Sequence, residues 1–509
     1  MDSFDLLGMG FQSAFALGAF LTIVVGLLVG VVAGALPGIS FVNAMAMALP
    51  FTYVMTPTQA MLFLGGIYVG GVFGGSISAI MINVPGTPAS LPACWDGYPM
   101  TQKGEVRRAL SIALIASATG GLCSALLLAF AAAPFATFAL KFSQPEFFAA
   151  TVLGLVSVIA IAKDRPVVSL LSMLVGITVG TVGVDPLYGI ARFSFGIPAM
   201  QSGINFVVVM IGLFAIGEVI DLLATNRDLR PKKTAARGLP LGLGDLWRIK
   251  GAILRGTGIG CMLGVIPGAG ATPGAVIAYG VEKQASGRGA EFGTGVEQGL
   301  AAPEAAKNAT TGAAMVPLLT LGIPGSAATA IMLAAMMLHG VSPGPLLFLT
   351  DPSMVYTIFA AMIIANLLMI AAGIGVAQCF STLMRTPPAV LAAFIVVLSV
   401  LGAYGVRNNI FDVYVCLIFG VIGWAMKRTG FPSAPLVLGV ILGPLAERYF
   451  MTTLANFRQD WTVFFTRPIS ATILALALAF ALWSLYPGMK LAAAGLARRR
   501  RANAGASAD

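Results

Sequence analysis

Two apolar runs in this chain end in the same interruption, and that interruption limits what either run can become. In the first, Gly74 to Ser90 reads Gly-Gly-Ser-Ile-Ser-Ala-Ile-Met-Ile-Asn-Val-Pro-Gly-Thr-Pro-Ala-Ser. In the second, between Gly312 and Ala330, Leu321-Gly-Ile-Pro-Gly-Ser-Ala327 stands in the matching place. Each sets a proline, a glycine and a hydroxyl residue (Pro85, Gly86, Thr87; Pro324, Gly325, Ser326) at the end of a run long enough to enter a bilayer. A helix broken inside a membrane strands backbone N–H and C=O groups, and such breaks survive only where protein or a water-filled cavity satisfies them. The breaks therefore mark a site.

The membrane setting follows from composition. Of 509 residues, 58% are hydrophobic and 10% charged, with mean hydropathy +0.91. Soluble domains carry about 25% charged residues, so this chain lacks the polar surface of a water-exposed globule. The expected fold is an all-α polytopic membrane protein of about 12 transmembrane helices, some re-entrant or broken; the short runs 42–54 and 327–338 are the re-entrant candidates. A net charge of +10 would raise nucleic acid as a partner in a soluble protein. Here the basic residues cluster in a few loops, as the positive-inside rule requires, so lipid is the expected surroundings and no nucleic-acid partner is expected. Five scattered cysteines with no CxxC spacing read as buried free thiols rather than a metal or disulfide framework. The first Lys or Arg is Lys103, so no cleavable leader with a basic start is expected.

The echo between the two breaks extends along the chain. Pro85 pairs with Pro324 (324 − 85 = 239), Pro37 with Pro267 (267 − 37 = 230) and Gly196-Ile-Pro198 with Gly430-Phe-Pro432. Ser143-Gln-Pro145 pairs with Thr386-Pro-Pro388, and Gly217-Glu218 with Ala446-Glu447. Five anchors in one order read as two structural repeats. Counting spans from the basic stretch 226–255 and from the basic tail puts Gly196 and Gly430 on opposite faces, so the repeats are expected to be inverted, with parallel repeats and one span miscounted as the alternative. The expected domains are a first transmembrane repeat (1–225), a basic cytoplasmic linker (226–250), a second repeat (251–488) and a basic cytoplasmic tail (489–509).

In such architectures paired breaks face each other, and half-helix N-termini point partial positive charge at an anionic substrate. Asn83, Thr87 and Ser326 offer neutral hydrogen-bond donors beside backbone N–H groups freed around Pro85-Gly86 and around Gly322, Pro324 and Gly325. That set suits a carboxylate, with plain helix capping as the alternative reading. Ser40 and Asn43, in the short run after Pro37, and Lys307 and Asn308 complete the substrate-binding candidates. Ionisable residues at membrane depth are functional by default. Glu297, Glu304 and Lys307 stand in a polar stretch, 282–311, with Glu304 and Lys307 one helical turn apart and able to neutralise each other. In a solvated loop they would be a surface pair. Ser76, Ser78, Glu297 and Glu304 are the candidates for coupling a cation, sodium or proton; the two serines lie on a glycine-rich face that close packing would equally explain. His339, the single histidine, ends an apolar run and reads as a cap or contact.

At these residues the chain resembles the large permease subunit of the tripartite tricarboxylate transporters, the TctA type. The most specific blocks are Leu36-Pro-Gly38, Gly74-Gly-Ser-Ile-Ser78 with Asn83-Val-Pro-Gly-Thr87, and Asp96-Gly-Tyr-Pro-Met100. With them stand Ala302-Pro-Glu-Ala-Ala-Lys-Asn-Ala309, Leu321-Gly-Ile-Pro-Gly-Ser326 and His339-Gly-Val-Ser-Pro-Gly-Pro345. The chain departs from the family at Lys307-Asn308, where an Asn pair is usual, and at Ile39-Ser-Phe41. The resemblance implies a permease of the bacterial inner membrane that takes up tri- or dicarboxylates on a cation gradient. It further implies a small membrane subunit and a periplasmic solute-binding protein as partners.

Two other classes stand against this reading. An intramembrane enzyme would need a nucleophile and base, or an acidic dyad, within a span; one histidine and no Asp pair argue against it, and no catalytic residue or cofactor is expected. A carboxylate channel or exporter working alone is the remaining alternative.

Overall fold

The computed structural model describes residues 3–36, 40–161, 166–185, 189–224, 243–267, 270–383 and 388–482. Helices dominate these residues, and one short ladder pairs Gly183–Val184 with Ala191–Arg192. Among the described residues, seven helices are long and apolar enough to span a membrane: Leu17–Ala35, Pro57–Ile82, Val106–Ala139, Phe206–Ala224, Pro352–Phe380, Ile410–Thr429 and Ser433–Asn456. Five shorter apolar helices accompany them, among them Phe41–Val54 and Ala327–Leu338. The twelve residues of Ala327–Leu338, at 1.5 Å each, reach about 18 Å, well short of a hydrocarbon core of about 30 Å. The chain is thus an all-α, multi-pass membrane protein.

The chain divides into two compact units, residues 1–141 with 182–430 and residues 142–181 with 431–509. Each unit draws on both sequence halves. At the heart of the first unit stand two long helices, Pro57–Ile82 and Glu297–Leu321, buried along almost their whole length. Each lies against a helix that precedes it in the chain: Leu17–Ala35 along the first, Leu243–Val265 along the second. The contact is backbone to backbone. A Cβ added at Gly30 or Gly74 would meet the partner's main chain, and so would one at Gly256 or Gly260. Small residues are what allow helices to approach this closely when lipid offers no hydrophobic drive between them. The stretch 282–311, read from sequence as polar and open to being a loop, has its second half, from Glu297 on, as the buried front of Glu297–Leu321, which takes Pro303 and Pro317 into its interior.

Both long helices stop in the left-handed region, the first at Asn83 (φ 57°) and the second at Gly322 (φ 70°). Asn and Gly are the residues that tolerate this conformation, and their placement ends each helix at its break. Beyond the first break a tight turn, Pro88–Ser90, leads into Leu91–Gln102; beyond the second comes Ala327–Leu338.

Elsewhere in the first unit, Pro388–Arg407 and Ile410–Thr429 pack on the Phe206–Ala224 span, which widens into a π turn at Ile211–Ile216 and sets Gly212 against the Cys416 carbonyl. In the second unit, Gln144–Ile161 and Pro166–Gly180 pack on Ser433–Asn456, with Gly176 against Leu436 and Gly439 against Met173. There Glu146, 1% exposed, accepts from the Ser143 amide at 2.9 Å and from Arg467 Nε at 2.5 Å.

The expected linker 226–250 has its last part in a helix, since Leu243–Val265 begins inside it. Residues 226–242, Pro37-Gly38, Lys163 to Arg165, Thr386-Pro387 and the tail 489–509 lie outside the described residues. All five cysteines are free, but Cys416 alone among them is fully buried; Cys123 and Cys379 are exposed. A thiol facing lipid is as apolar as its surroundings, which is why burial within protein is not required of it.

Candidate functional site

The second long helix carries Glu304 and Lys307 on one face, one turn apart, and both are removed from solvent (1% and 0% side-chain exposure). Their charges meet at 2.9 Å, Lys307 Nζ to Glu304 Oε1. Around this pair the first long helix contributes Ser76, whose hydroxyl donates to Glu304 Oε1 at 2.5 Å and receives Lys307 Nζ. Lys307 also donates to Ser90 Oγ at 3.2 Å. The other carboxylate oxygen, Oε2, accepts from Ser117 Oγ at 2.9 Å, out of the Val106–Ala139 helix. Asn308 Nδ2 donates to the same Ser117 at 2.8 Å, while Asn308 Oδ1 is buried with no hydrogen-bond partner. The knot is formally neutral and its charges are hydrogen-bonded from several sides, the condition under which an ion pair survives away from water.

The two breaks are built alike. Thr87 Oγ1 and Ser90 Oγ lie 3.0 Å apart behind the first; Ser326 Oγ and Thr329 Oγ1 lie 3.2 Å apart behind the second. Gly86 nestles on Gly34 and Gly75, and Gly325 on Gly264 and Ala314. Each long helix then reaches the opposite break. Tyr68 of the first sends its hydroxyl to within 3.4 Å of Ser326 Oγ, with Thr310 beside it. Lys307 of the second reaches Ser90.

Of the residues singled out from sequence, the structure gathers Ser76, Glu304, Lys307 and Asn308 into one cluster that touches the first break. The backbone N–H groups at the breaks are less free than expected: that of Gly86 goes to the Gly75 carbonyl at 3.2 Å and that of Ser326 to Thr329 Oγ1 at 2.8 Å. Ser326 caps Ala327–Leu338 in a reciprocal arrangement with Thr329, so capping accounts for part of its role. Thr87 makes no such cap and pairs with Ser90. Asn83 is exposed at its left-handed position, and Pro85 and Pro324 sit at the turns themselves. Ser40 caps Phe41–Ala48, and Asn43 meets the Glu218 carboxylate. Ser78 donates to the Gly75 carbonyl. Glu297 stands two turns before Glu304 and is paired with Arg108 (2.5 Å), which also holds Asp245 (2.7 Å). His339 ends Ala327–Leu338, as read, with its Nε2 buried and unpartnered.

Sequence reasoning missed Tyr68, Ser90, Ser117 and Thr310. Tyr68 was within reach, because it precedes Lys307 by the same 239 residues that separate Pro85 from Pro324. It also gave no role to Asp96, which is fully buried just after the first break. Asp96 Oδ1 accepts the amides of Gly293, Gly295 and Val296 at 3.0, 2.8 and 2.8 Å, and Oδ2 accepts the Tyr279 hydroxyl at 2.9 Å. One carboxylate thereby fixes the segment that launches the second long helix.

Fold and site together define a multi-pass membrane protein organised around two interrupted helices. Residues 20–438 match the family described as tripartite tricarboxylate transporter TctA family, and the chain belongs to that family of transporter permeases. An Agrobacterium vitis protein called "uncharacterized 52.8 kDa protein in TAR-I ttuC' 3'region" is 38% identical over 490 residues, covering 96% of this chain and 98% of its own. A second from the same organism, called "uncharacterized protein in TAR-II ttuC' 3'region", is 38% identical over 231 residues, covering 45% of this chain and 96% of its own. No solved structure matches.

Proposed function

We propose that this chain is the large permease subunit of a binding-protein-dependent carrier that takes up tri- or dicarboxylates across the bacterial inner membrane, driven by a sodium or proton gradient. Its partners are a small membrane subunit and a periplasmic solute-binding protein. The substrate carboxylates are held by the hydroxyl pairs Thr87/Ser90 and Ser326/Thr329, with the N-terminus of Ala327–Leu338 adding partial positive charge. The two long helices belong to inverted repeats, and movement of one break relative to the other alternates access. The observation that carries this reading is the crossed contact: each long helix supports the hydroxyl pair of the opposite break, so a ligand at either pair is felt by both. Reconstitution in liposomes tests it. With the small subunit and a loaded binding protein, uptake of a labelled di- or tricarboxylate under an imposed sodium or proton gradient is expected, falling at least ~10-fold in Thr87→Val or Ser326→Ala, a loss of about 1.4 kcal/mol. Uptake unaffected by both substitutions refutes the site, and carboxylate flux that ignores every imposed gradient refutes the coupling.

A further inference from the structure

Lys307 is the side chain in this site whose surroundings are hardest to explain as packing. Its Nζ faces three oxygens from three places in the chain: Glu304 Oε1 at 2.9 Å, Ser90 Oγ at 3.2 Å, and Ser76 Oγ. These oxygens also lie close to one another, Ser76 Oγ being 2.5 Å from Glu304 Oε1 and 3.4 Å from Ser90 Oγ. All four side chains are buried to 1% exposure or less. One carboxylate and two hydroxyls, converging in a dry place, form an all-oxygen donor set of the kind hard cations take, and its single negative charge matches a monovalent ion. A further acceptor lies nearby, Asn308 Oδ1, fully buried and unpartnered, on a side chain tied through Ser117 to the same carboxylate.

We propose that this oxygen cage is a monovalent-cation site permanently filled by the chain's own ammonium, and that shortening Lys307 opens it to sodium. Glu304, shut off from water, needs one positive charge beside it. A tethered ammonium supplies it without the option of leaving, so the cage itself does not exchange sodium during transport in the native chain. The inference rests on the proposed reading in treating this cluster as part of the transport site, but the cage's occupancy is measurable with no transport at all.

The test compares the native chain, Lys307→Ser and the double variant Glu304→Gln/Lys307→Ser, each purified in detergent. Binding of radiolabelled sodium and the thermal unfolding midpoint are followed while sodium chloride replaces choline chloride at constant ionic strength. Lys307→Ser is expected to acquire about one saturable sodium per chain and a midpoint that climbs with sodium and levels off, neither of which the native chain or the double variant shows. A folded Lys307→Ser that binds no more sodium than the native chain overturns the proposal. So does saturable binding that survives loss of the Glu304 charge, and so does a Lys307→Ser chain that fails to fold even in saturating sodium. Should the native chain move no carboxylate in liposomes while Lys307→Ser still gains its sodium, the transport reading falls and the cage stands.

Discussion

Tyr68 and Lys307 lie 239 residues apart, the spacing of the two broken motifs, and each reaches from one long helix to a hydroxyl behind the opposite break: Tyr68 to Ser326 at 3.4 Å, Lys307 to Ser90 at 3.2 Å. The positions match while the chemistry differs. The phenol is neutral and can serve as donor or acceptor; the ammonium only donates and needs Glu304 beside it. Tyr68→Phe removes the bridge to the second break while keeping the ring that stacks on Phe41. We expect carboxylate uptake to fall by ~5–10-fold while unfolding shifts by only about 1 kcal/mol, the net worth of one hydrogen bond. Parallel uptake and thermal melts check this; uptake at the native rate in a Tyr68→Phe chain whose melt has shifted would assign Tyr68 to stability alone.

The Glu304–Lys307 pair gives a prediction of opposite form. Removing one partner from a buried pair leaves an uncompensated charge, at a cost of about 3–5 kcal/mol, whereas removing both charges costs far less. In sodium-free buffer Lys307→Met is therefore expected to lower the unfolding midpoint sharply, and adding Glu304→Gln should recover at least half of that loss. A double-mutant cycle on the melts decides it.

Asp96 offers a test of how the segment before the second long helix is held. Its carboxylate takes three amides and a phenol, and hydrogen bonds to a charged group are worth about 1.5–3 kcal/mol each, net of exchange with water. Asp96→Ala is expected to speed amide exchange at Gly293, Gly295 and Val296 by orders of magnitude and to expose 286–296 to protease. Tyr279→Phe, which removes a single donor, should leave those amides nearly as protected as in the native chain.

Space at the two breaks is unequal. A Cβ on Gly86 would fall on the Gly34 carbonyl and within 2.9 Å of Gly75, whereas one on Gly325 would find its nearest atoms at 3.1–3.3 Å. Overpacking costs about 1–3 kcal/mol where neighbours cannot yield, and backbone yields least. Gly86→Ala is expected to abolish folded expression or uptake, with Gly325→Ala retaining a substantial part of both, as fluorescence-detected size exclusion and uptake would report.

Local chemistry made the breaks legible. A Pro-Gly-hydroxyl group at the end of an apolar run carries its own instruction to stop, and Asn83 and Gly322 supply the left-handed caps that such a stop needs. The Glu304–Lys307 pair was legible from its one-turn spacing. Its burial was not, because a run with Glu, Lys, Asn and two Thr reads as polar when its partners are unknown; only tertiary packing against Ser76 and Ser117 turns that face inward. Ser117 itself had no signal, being one small residue in an alanine-rich span. Glu297 reads in sequence like Glu304, yet two turns along the helix bring it to Arg108 instead. That distinction lies in what the neighbouring helices present and leaves no trace in spacing.

The two three-helix packings described above each take a pair of neighbouring helices from one side of residues 225–242 and a single helix from the other. Gln144–Ile161 and Pro166–Gly180 borrow Ser433–Asn456, while Pro388–Arg407 and Ile410–Thr429 borrow Phe206–Ala224. A chain cut at its midpoint would orphan one helix and one pair in each piece, so neither piece is a self-sufficient module.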